Sequence, residues 1–223
     1  DLAGHGDSEK LLTTDYDLMK QAQRLDDLIS GLGIKTFHIA GNSMGGAISA
    51  IYSLNHPQKV KSLTLIDAAG VDGKNPSEYY QALEKGKNPL IATDEESFNF
   101  RMDFTMSQPP LLPWPLKPAF LRKTLARAEI NNKIFNDLIA TKERLIEMNF
   151  HQQIQTTIAQ HQVPTLIMWG EEDRVLDVSA VEAFQQLIPQ AQTHIFAEVG
   201  HLPMVEIPNE SAEVYQQFLS TVE

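Results

Sequence analysis

Short apolar runs alternate with amphipathic stretches along most of the chain. The apolar runs have the length of strands, and they lie at 36–40, 60–67, 164–169 and 193–196. The amphipathic stretches carry apolar residues at helical spacing, and they lie at 15–33, 47–55, 179–187 and 210–221. Short apolar strands separated by helices are typical of a parallel sheet that helices cover on both faces. We therefore predict an α/β fold with a mostly parallel sheet.

Residues 71–160 depart from this alternation. They contain several helical stretches and no clear strand, whereas the connections on either side of a helix usually run roughly 2 to 6 residues. We predict that this stretch is an inserted helical cap. It divides the chain into a first core part at 1–70, a cap or lid at 71–160 and a second core part at 161–223.

A proline-rich apolar segment lies inside the predicted cap. Its apolar residues, with one aromatic residue beyond it, are Pro110, Leu111, Leu112, Trp114, Leu116 and Phe120. The segment is too rich in proline for a core helix, because proline lacks the backbone donor and disrupts the helical turn. It forms either a mobile lid that meets acyl chains or a lipid surface, or a segment that packs on the cap helices. In the first case Leu112 and Trp114 are candidate substrate-binding residues.

Composition narrows the class of function. The chain has 223 residues, with 18 Lys and Arg against 29 Asp and Glu, so its formal net charge is −11. Nucleic-acid binding is disfavoured, because phosphate contacts need concentrated Lys and Arg. The absence of cysteine excludes disulfides, thiolate metal sites and a cysteine nucleophile. No apolar run reaches the roughly 18 to 20 residues that span a bilayer, and no signal peptide is evident.

The segment Gly41-Asn42-Ser43-Met44-Gly45 matches the G-x-S-x-G pattern between a predicted strand and a predicted helix. In this context the chain turns sharply, which strains the backbone of Ser43 and exposes its hydroxyl. We expect Gly41 and Gly45 to leave room for this close approach. The pattern predicts that Ser43 is a nucleophile rather than an incidental N-cap serine.

A serine nucleophile needs a base and a group that orients the base. His201 lies in a loop after the fourth predicted strand, at the edge of the sheet where the sites of open α/β folds gather. Asp173 follows the third strand in the same way, and Asp67 at the end of the second strand is its rival. The order Ser43, Asp173, His201 is that of hydrolases with this architecture. We predict a serine hydrolase with these three residues as its catalytic triad.

Four segments resemble the α/β-hydrolase superfamily: residues 1–8, GNSMGG at 41–46, WGEED at 169–173 and EVGHLP at 198–203. Within it, the chain is most similar to monoacylglycerol lipases and to related cold-adapted bacterial lipases and esterases. The resemblance implies the α/β-hydrolase fold, a lipid-ester substrate and a cap that shapes the acyl pocket. It also implies an oxyanion hole made by the backbone N–H of Met44 and a second donor from a loop that precedes Asp1.

The chain starts at Asp1, without methionine, inside the first of these segments. We therefore expect it to be part of a longer enzyme, whose first strands and second oxyanion donor precede Asp1. The strand at 36–40 would then be an exposed apolar edge that is prone to association, and the chain alone would fold poorly. A cytoplasmic and a membrane-associated location, contact with a membrane, and the oligomeric state stay open.

The predicted reaction is the hydrolysis of carboxylic esters, in particular lipid esters, through an acyl-Ser43 intermediate. No metal or organic cofactor is predicted, because the sequence has no H-E-x-x-H motif, no Walker motif and no G-x-G-x-x-G fingerprint at a suitable strand. One alternative is a C–C bond hydrolase of ring-cleavage diketones, although Leu202 replaces the tryptophan that usually follows the catalytic histidine there. Another is a non-catalytic binding protein with the hydrolase fold.

Overall fold

The computed structural model describes residues 1–222. Its strands form one parallel sheet in the order β1-β2-β3-β4, with β1 at Phe37–Ser43, β2 at Val60–Ala68, β3 at Thr165–Gly170 and β4 at Gln192–Phe196. The predicted parallel α/β fold is confirmed. The α-helices are α1 (Leu18–Gly31), α2 (Met44–Asn55), α3 (Glu78–Glu84), α4 (Glu95–Thr105), α5 (Leu116–Leu125), α6 (Ala128–Glu147), α7 (Phe150–Gln153), α8 (Ala180–Leu187), α9 (Pro203–Glu206) and α10 (Pro208–Ser220).

The ends of the predicted elements shift where long-range pairing extends them. β1 continues three residues past its predicted end, because its ladder with β2 runs on until Ser43 pairs with Ala68. α2 begins at Met44, which places Gly45 and Gly46 inside its first turn although glycine is a poor helix former. Packing of this helix against the sheet outweighs the local propensity.

The sheet separates two apolar layers. On one face, Ile167 and Trp169 of β3 belong to a core that includes α2 and α8. On the other face, Leu166 and Met168 pack with Phe218 of α10. This alternation follows from the two-residue period of a strand. Burial of both faces explains why the central strands read as nearly continuous apolar runs.

Residues 69–164 connect β2 to β3 through α3 to α7, with no strand in this part of the described chain. A π-helical turn, Ile154–Ile158, continues α7. The long helix α6 is tied to α1 through Asp17, the N-cap residue of α1. The buried carboxylate of Asp17 accepts hydrogen bonds from the Thr141 hydroxyl at 3.0 Å and from Arg144 at 2.7 Å. These bonds hold α6 against the N-terminus of α1.

The proline-rich segment between α4 and α5 lies at the surface. The side chains of Leu111 and Trp114 are 89% and 85% exposed. α5 itself is attached to α4, because the rings of Phe98 and Phe120 meet edge to face at 5.5 Å between centroids. Across residues 1–222, no helix has both the length and the apolar composition needed to cross a bilayer.

Candidate active site

Ser43 lies in the sharp turn between β1 and α2. Its backbone has φ 54° and ψ −121°, a region that residues other than glycine rarely adopt. Gly41 makes this turn possible, because a Cβ there would overlap the carbonyl oxygen of Gly45 and come within 2.6 Å of the Ser49 hydroxyl. The strained backbone therefore follows from close packing between the end of β1 and the start of α2.

The two glycines after the turn differ in what surrounds them. A Cβ at Gly46 would lie 2.9 Å from the Cα of Ala68 and would overlap its Cβ. A Cβ at Gly45 would meet nothing within 4 Å. The expectation that Gly45 leaves room for close approach finds no support among residues 1–222. Gly46 has that role instead, because α2 crosses directly over the end of β2.

His201 and Asp173 form a buried pair at the carboxyl edge of the sheet. The Nδ1 atom of His201 lies 2.7 Å from Oδ2 of Asp173, and the two residues are 4% and 6% exposed. The other oxygen of Asp173 accepts hydrogen bonds from the backbone N–H groups of Val175 at 2.7 Å and Leu176 at 3.0 Å. Three hydrogen bonds therefore fix this carboxylate, and they leave the Nε2 atom of His201 free to act on a substrate.

Asp67, the rival for this position, lies behind the pair. It is the extra residue where the ladder shifts between Asn42 and Ser43, and its φ is 42°. Its Oδ1 accepts a hydrogen bond of 2.9 Å from the backbone N–H of Gly170. Complete burial, together with the charge of nearby Asp173, raises the pKa of Asp67 well above its ordinary value. Asp67 is therefore a buried neighbour of the pair, and Asp173 rather than Asp67 is the acid that contacts the histidine.

Asp67, Asp173 and His201 bring ligand-type atoms within 4.8 Å of one another, which is close enough for a metal ion. The hydrogen bonds described above already engage both oxygens of Asp173 and the Nδ1 atom of His201. A metal at this point would have to displace them. The donor set fits an oriented histidine better than a metal centre.

One side chain and one backbone carbonyl oxygen, that of Thr105, position the loop that carries His201. Asn42 donates from its amide to the carbonyl oxygens of Ile66 at 3.2 Å and His201 at 3.1 Å. The backbone N–H of His201 donates to Thr105 of α4 at 2.9 Å. The histidine is thereby tied both to the turn that holds Ser43 and to the helices above the sheet.

Glu206, in α9, anchors the same loop from the other side. Its carboxylate accepts hydrogen bonds from the backbone N–H groups of Gly200 at 2.9 Å, Ser107 at 2.8 Å and Gln108 at 2.9 Å. Sequence reasoning did not find this residue, because a glutamate in a short helix carries no local sign of three distant backbone partners. Glu206 joins the loop of His201 to the segment that follows α4.

A cavity of about 1010 Å³ opens above these residues. Ser43, Met44 and His201 line it, and no hydrogen bond joins the side chains of Ser43 and His201 within the described chain. Such contacts often tighten only when substrate binds. Most of the wall comes from α6 and its neighbours, and its apolar members include Phe135, Leu138, Ile139, Leu145, Ile146 and Phe150. The cavity can hold a long apolar chain beside the serine.

The lining of the cavity includes some of the residues considered from the sequence and leaves out others. Leu112 and Trp114 do not line it, whereas Phe120 does, so the assignment of the first two to substrate binding stays a prediction. His5 and His151 also line it, although sequence reasoning gave them no role. His38 lies elsewhere, with its Nδ1 atom 2.8 Å from the Ser62 hydroxyl.

Comparison with known proteins gives consistent relatives. Residues 1–208 match the family described as the alpha/beta hydrolase fold. Lipase 1 of Psychrobacter immobilis is 36% identical over 224 residues, which cover 100% of this chain and 68% of the lipase. Monoacylglycerol lipase abhd6-A of Xenopus laevis is 28% identical over 235 residues, covering 100% of this chain and 67% of that protein. The crystal structure of a membrane phospholipase A, described as a bacterial virulence factor, has a TM-score of 0.89 and 40% identity, covering 100% of this chain and 69% of that one.

Proposed function

Because the chain belongs to the α/β-hydrolase family, we propose that it hydrolyses lipid esters through an acyl-Ser43 intermediate. The chain is a carboxylic ester hydrolase, in agreement with the lipases and monoacylglycerol lipases that it resembles over its full length. The observation that best supports the proposed mechanism is the buried 2.7 Å contact between His201 and Asp173, beside a cavity that Ser43 also lines.

In the first half of the reaction, Ser43 attacks the ester. The Nε2 atom of His201 accepts the hydroxyl proton while the Ser43 oxygen bonds to the carbonyl carbon. Asp173 accepts a hydrogen bond from Nδ1, which orients the ring and stabilises the imidazolium. The N–H of Met44, at the first position of α2, has no partner within its own helix and is available to the oxyanion.

The tetrahedral intermediate then collapses. The bond to the alcohol oxygen breaks, and His201 donates its proton to the leaving alcohol, which leaves the acyl group on Ser43. In the second half, a water molecule attacks the acyl carbon while His201 accepts its proton. Collapse of the second intermediate releases the carboxylic acid, and the proton returns to Ser43.

We also propose that the helices between β2 and β3 form the cap of a two-part enzyme, with a core at 1–70 and 161–223 and a cap at 71–160. The support for this division is that the cap helices supply most of the apolar cavity wall. The exposed side chains of Leu111 and Trp114 support a further proposal, contact of the cap with a lipid surface. Hydrolysis of ring-cleavage diketones is not favoured, since relatives that are 36% identical to this chain are lipases.

The test is hydrolysis of p-nitrophenyl esters with acyl chains from short to long. The expected result is turnover that falls on the order of 10⁶-fold in Ser43→Ala. Ser220→Ala, an exposed serine of α10, serves as a matched control and should retain full turnover. A fluorophosphonate should label the wild type at Ser43. Turnover or labelling that survives Ser43→Ala would contradict the proposed nucleophile.

A further inference from the structure

The charged residues of the catalytic cavity do not reflect the charge of the whole chain. The chain has a formal net charge of −11. The charged side chains that line the cavity are nevertheless four cations, Arg101, Lys123, Arg127 and Lys142, and one carboxylate, Asp72. Lys142 lies 2.9 Å from Asp72, so this pair is locally neutral. The remaining three cations give the cavity an excess of positive charge.

Among residues 1–222, Arg101 and Arg127 have no acidic partner. Neither guanidinium lies within 4.0 Å of a carboxylate of residues 1–222. Arg127 donates one hydrogen bond, of 2.8 Å, to the carbonyl oxygen of Gly4. Burial lowers the pKa of Arg101, and the neighbouring charge of Arg127 lowers it further. Two partly buried guanidinium groups that repel each other are costly for the fold unless an anion joins them.

The position of Arg127 at the start of α6 is also unfavourable for its positive charge. Arg127 is the N-cap residue of α6, and its side chain makes no capping hydrogen bond. A cation at this end of a helix is opposed by the helix dipole, whereas an anion is favoured there. The helix dipole therefore opposes the charge of Arg127, and an anion bound to Arg127 would offset this effect.

Arg101 and Arg127 line the same cavity as Ser43 and His201. Arg101 is one turn before Thr105 in α4, and the carbonyl oxygen of Thr105 accepts the N–H of His201. Arg127 precedes Ile130 and Ile134, which belong to a cluster against which Met44 packs. The two arginines therefore belong to helical segments that contact the loop of His201 and the residue after Ser43.

The C-terminal part of α6 lines the same cavity. Along α6, Ile146 follows Arg127 by 19 residues, or roughly 29 Å at 1.5 Å per residue. Around Ile146 the lining combines apolar side chains with polar groups and the Lys142–Asp72 pair, and its apolar members include Leu145 and Phe150. A molecule with an apolar tail and a negatively charged head would match these apolar residues and the unpaired arginines.

We propose that Arg101 and Arg127 form an anion subsite, with Lys123 at its rim, which binds the phosphate head group of an acyl glycerophosphate while the acyl chain lies along α6. The proposal rests on the proposed ester hydrolysis and specifies its substrate class. A phosphate fits better than a carboxylate, because it offers several oxygens to two guanidinium forks, each of which can bind two of them.

The kinetic test compares two substrates that differ only in the head group. These are 1-oleoylglycerol and 1-oleoyl-glycero-3-phosphate, presented in the same mixed detergent micelles. In Arg101→Gln, the ratio of kcat/KM for the phosphate lipid to that for the neutral lipid should fall about 10- to 100-fold. Arg101→Lys keeps the charge but not the planar guanidinium, so its ratio should lie between those of Arg101→Gln and the wild type. Arg127→Gln is a second, independent variant.

Arg122→Gln is the matched control. Arg122 is an exposed arginine of α5 that does not line the cavity, so this variant changes the net charge equally. It should leave the substrate ratio within about 2-fold of the wild type. An equal fall on both substrates in Arg101→Gln, or an unchanged ratio in both arginine variants, would overturn the subsite. If the arginine variants weaken inhibition by oleate but leave the ratio of kcat/KM unchanged, the arginines bind a carboxylate, and the phosphate subsite is contradicted.

Binding measurements test the subsite independently of the proposed hydrolysis. The ether analogue 1-O-octadecyl-glycero-3-phosphate cannot be hydrolysed, and its calorimetric Kd should rise about 10-fold or more in Arg101→Gln. The neutral ether 1-O-octadecylglycerol should show no comparable change. Absence of 1-oleoylglycerol turnover by the wild type would contradict the proposed hydrolysis alone. An unchanged Kd for the phosphate ether would contradict the subsite alone.

Discussion

The side-chain amide of Asn42 donates a 3.1 Å hydrogen bond to the backbone carbonyl oxygen of His201. Asn42 immediately precedes Ser43 in the strained turn, so one side chain links the two segments that the reaction needs together. The same amide also donates to Ile66 of the adjacent strand. The relative position of the serine and the histidine therefore depends on a residue that does not itself react.

Replacement of Asn42 tests this link. Asn42→Ala removes both hydrogen bonds, and kcat should fall about 10- to 100-fold because a small displacement of the reacting groups is costly. Asn42→Asp keeps the shape but cannot donate, so it should lose activity to a similar extent. The measurements are kcat and KM on a p-nitrophenyl ester, with Tm as a check of folding. Wild-type kcat in both variants would show that the link does not position the reacting groups.

Alanine at the two adjacent glycines should have opposite effects on stability. Gly46→Ala places a Cβ against Ala68, and such overpacking should lower the free energy of unfolding by about 1–3 kcal/mol. Gly45→Ala meets nothing within 4 Å and removes a glycine from the first turn of α2, so it should be neutral or stabilising by up to about 1 kcal/mol. Urea unfolding of the two variants provides the comparison. Equal destabilisation would contradict the difference in packing.

Glu206 should affect both stability and turnover. Glu206→Ala removes the acceptor for three backbone N–H groups, and the free energy of unfolding should fall by about 1–3 kcal/mol. Because the Gly200 N–H next to His201 loses its partner, kcat should fall as well. Glu210→Ala, an exposed acid at the start of α10, is the matched control. Wild-type kcat and stability in Glu206→Ala would contradict the proposal that Glu206 anchors the loop of His201.

The raised pKa of Asp67 predicts a specific dependence of stability on pH. Burial holds the proton on Asp67 in the folded state above pH 3.8, its ordinary pKa, whereas the unfolded chain loses it there. The folded state then binds more protons, so stability falls as pH rises from 3.8 towards the folded pKa. Asp67→Asn cannot ionise, and its stability relative to the wild type should increase by up to about 1.4 kcal/mol per pH unit in this window.

Urea unfolding at several pH values between 4 and 7 measures this difference. Asp94 provides a control of opposite sign, because hydrogen bonds from Ser97 lower the pKa of this exposed N-cap carboxylate. Asp94→Asn should therefore keep a constant difference from the wild type between pH 4 and 7, and it should lose that difference only when the pH falls below 3.8 through the lowered pKa. Parallel stability curves for Asp67→Asn and the wild type would contradict the raised pKa of Asp67.

The apolar cap residues Leu112 and Trp114 should matter only for aggregated substrate. Replacement of Leu112 and Trp114 by serine should lower activity on emulsified triacylglycerol or micellar monoacylglycerol by several-fold, because apolar surface that can enter a lipid interface is lost. Activity on a short-chain ester below its critical micelle concentration should stay unchanged. Thr221→Ala, at an exposed site beyond α10, is a control. A parallel loss on both substrates would indicate packing on the cap helices instead.

Much of the fold could be predicted because its signals are local. The apolar runs of β1 to β4 and the turn residues after them are visible in the sequence, and parallel strands place the ends of successive strands at one edge. Ser43, Asp173 and His201 each follow such a strand end. The exact ends could not be predicted, since β1 stops where its ladder with β2 stops.

The sequence by itself determined the alternation of strands and helices, the positions of the three candidate catalytic residues and their order along the chain. Tertiary structure alone decided which acid contacts His201, that Gly46 rather than Gly45 packs against β2, and that Glu206 anchors the histidine loop. It also brought Arg101 and Arg127 into one cavity, where neither contacts a carboxylate of residues 1–222. The physical reason is that backbone patterns act between neighbouring residues, whereas the burial, pairing and charge of a side chain depend on residues that are distant in sequence.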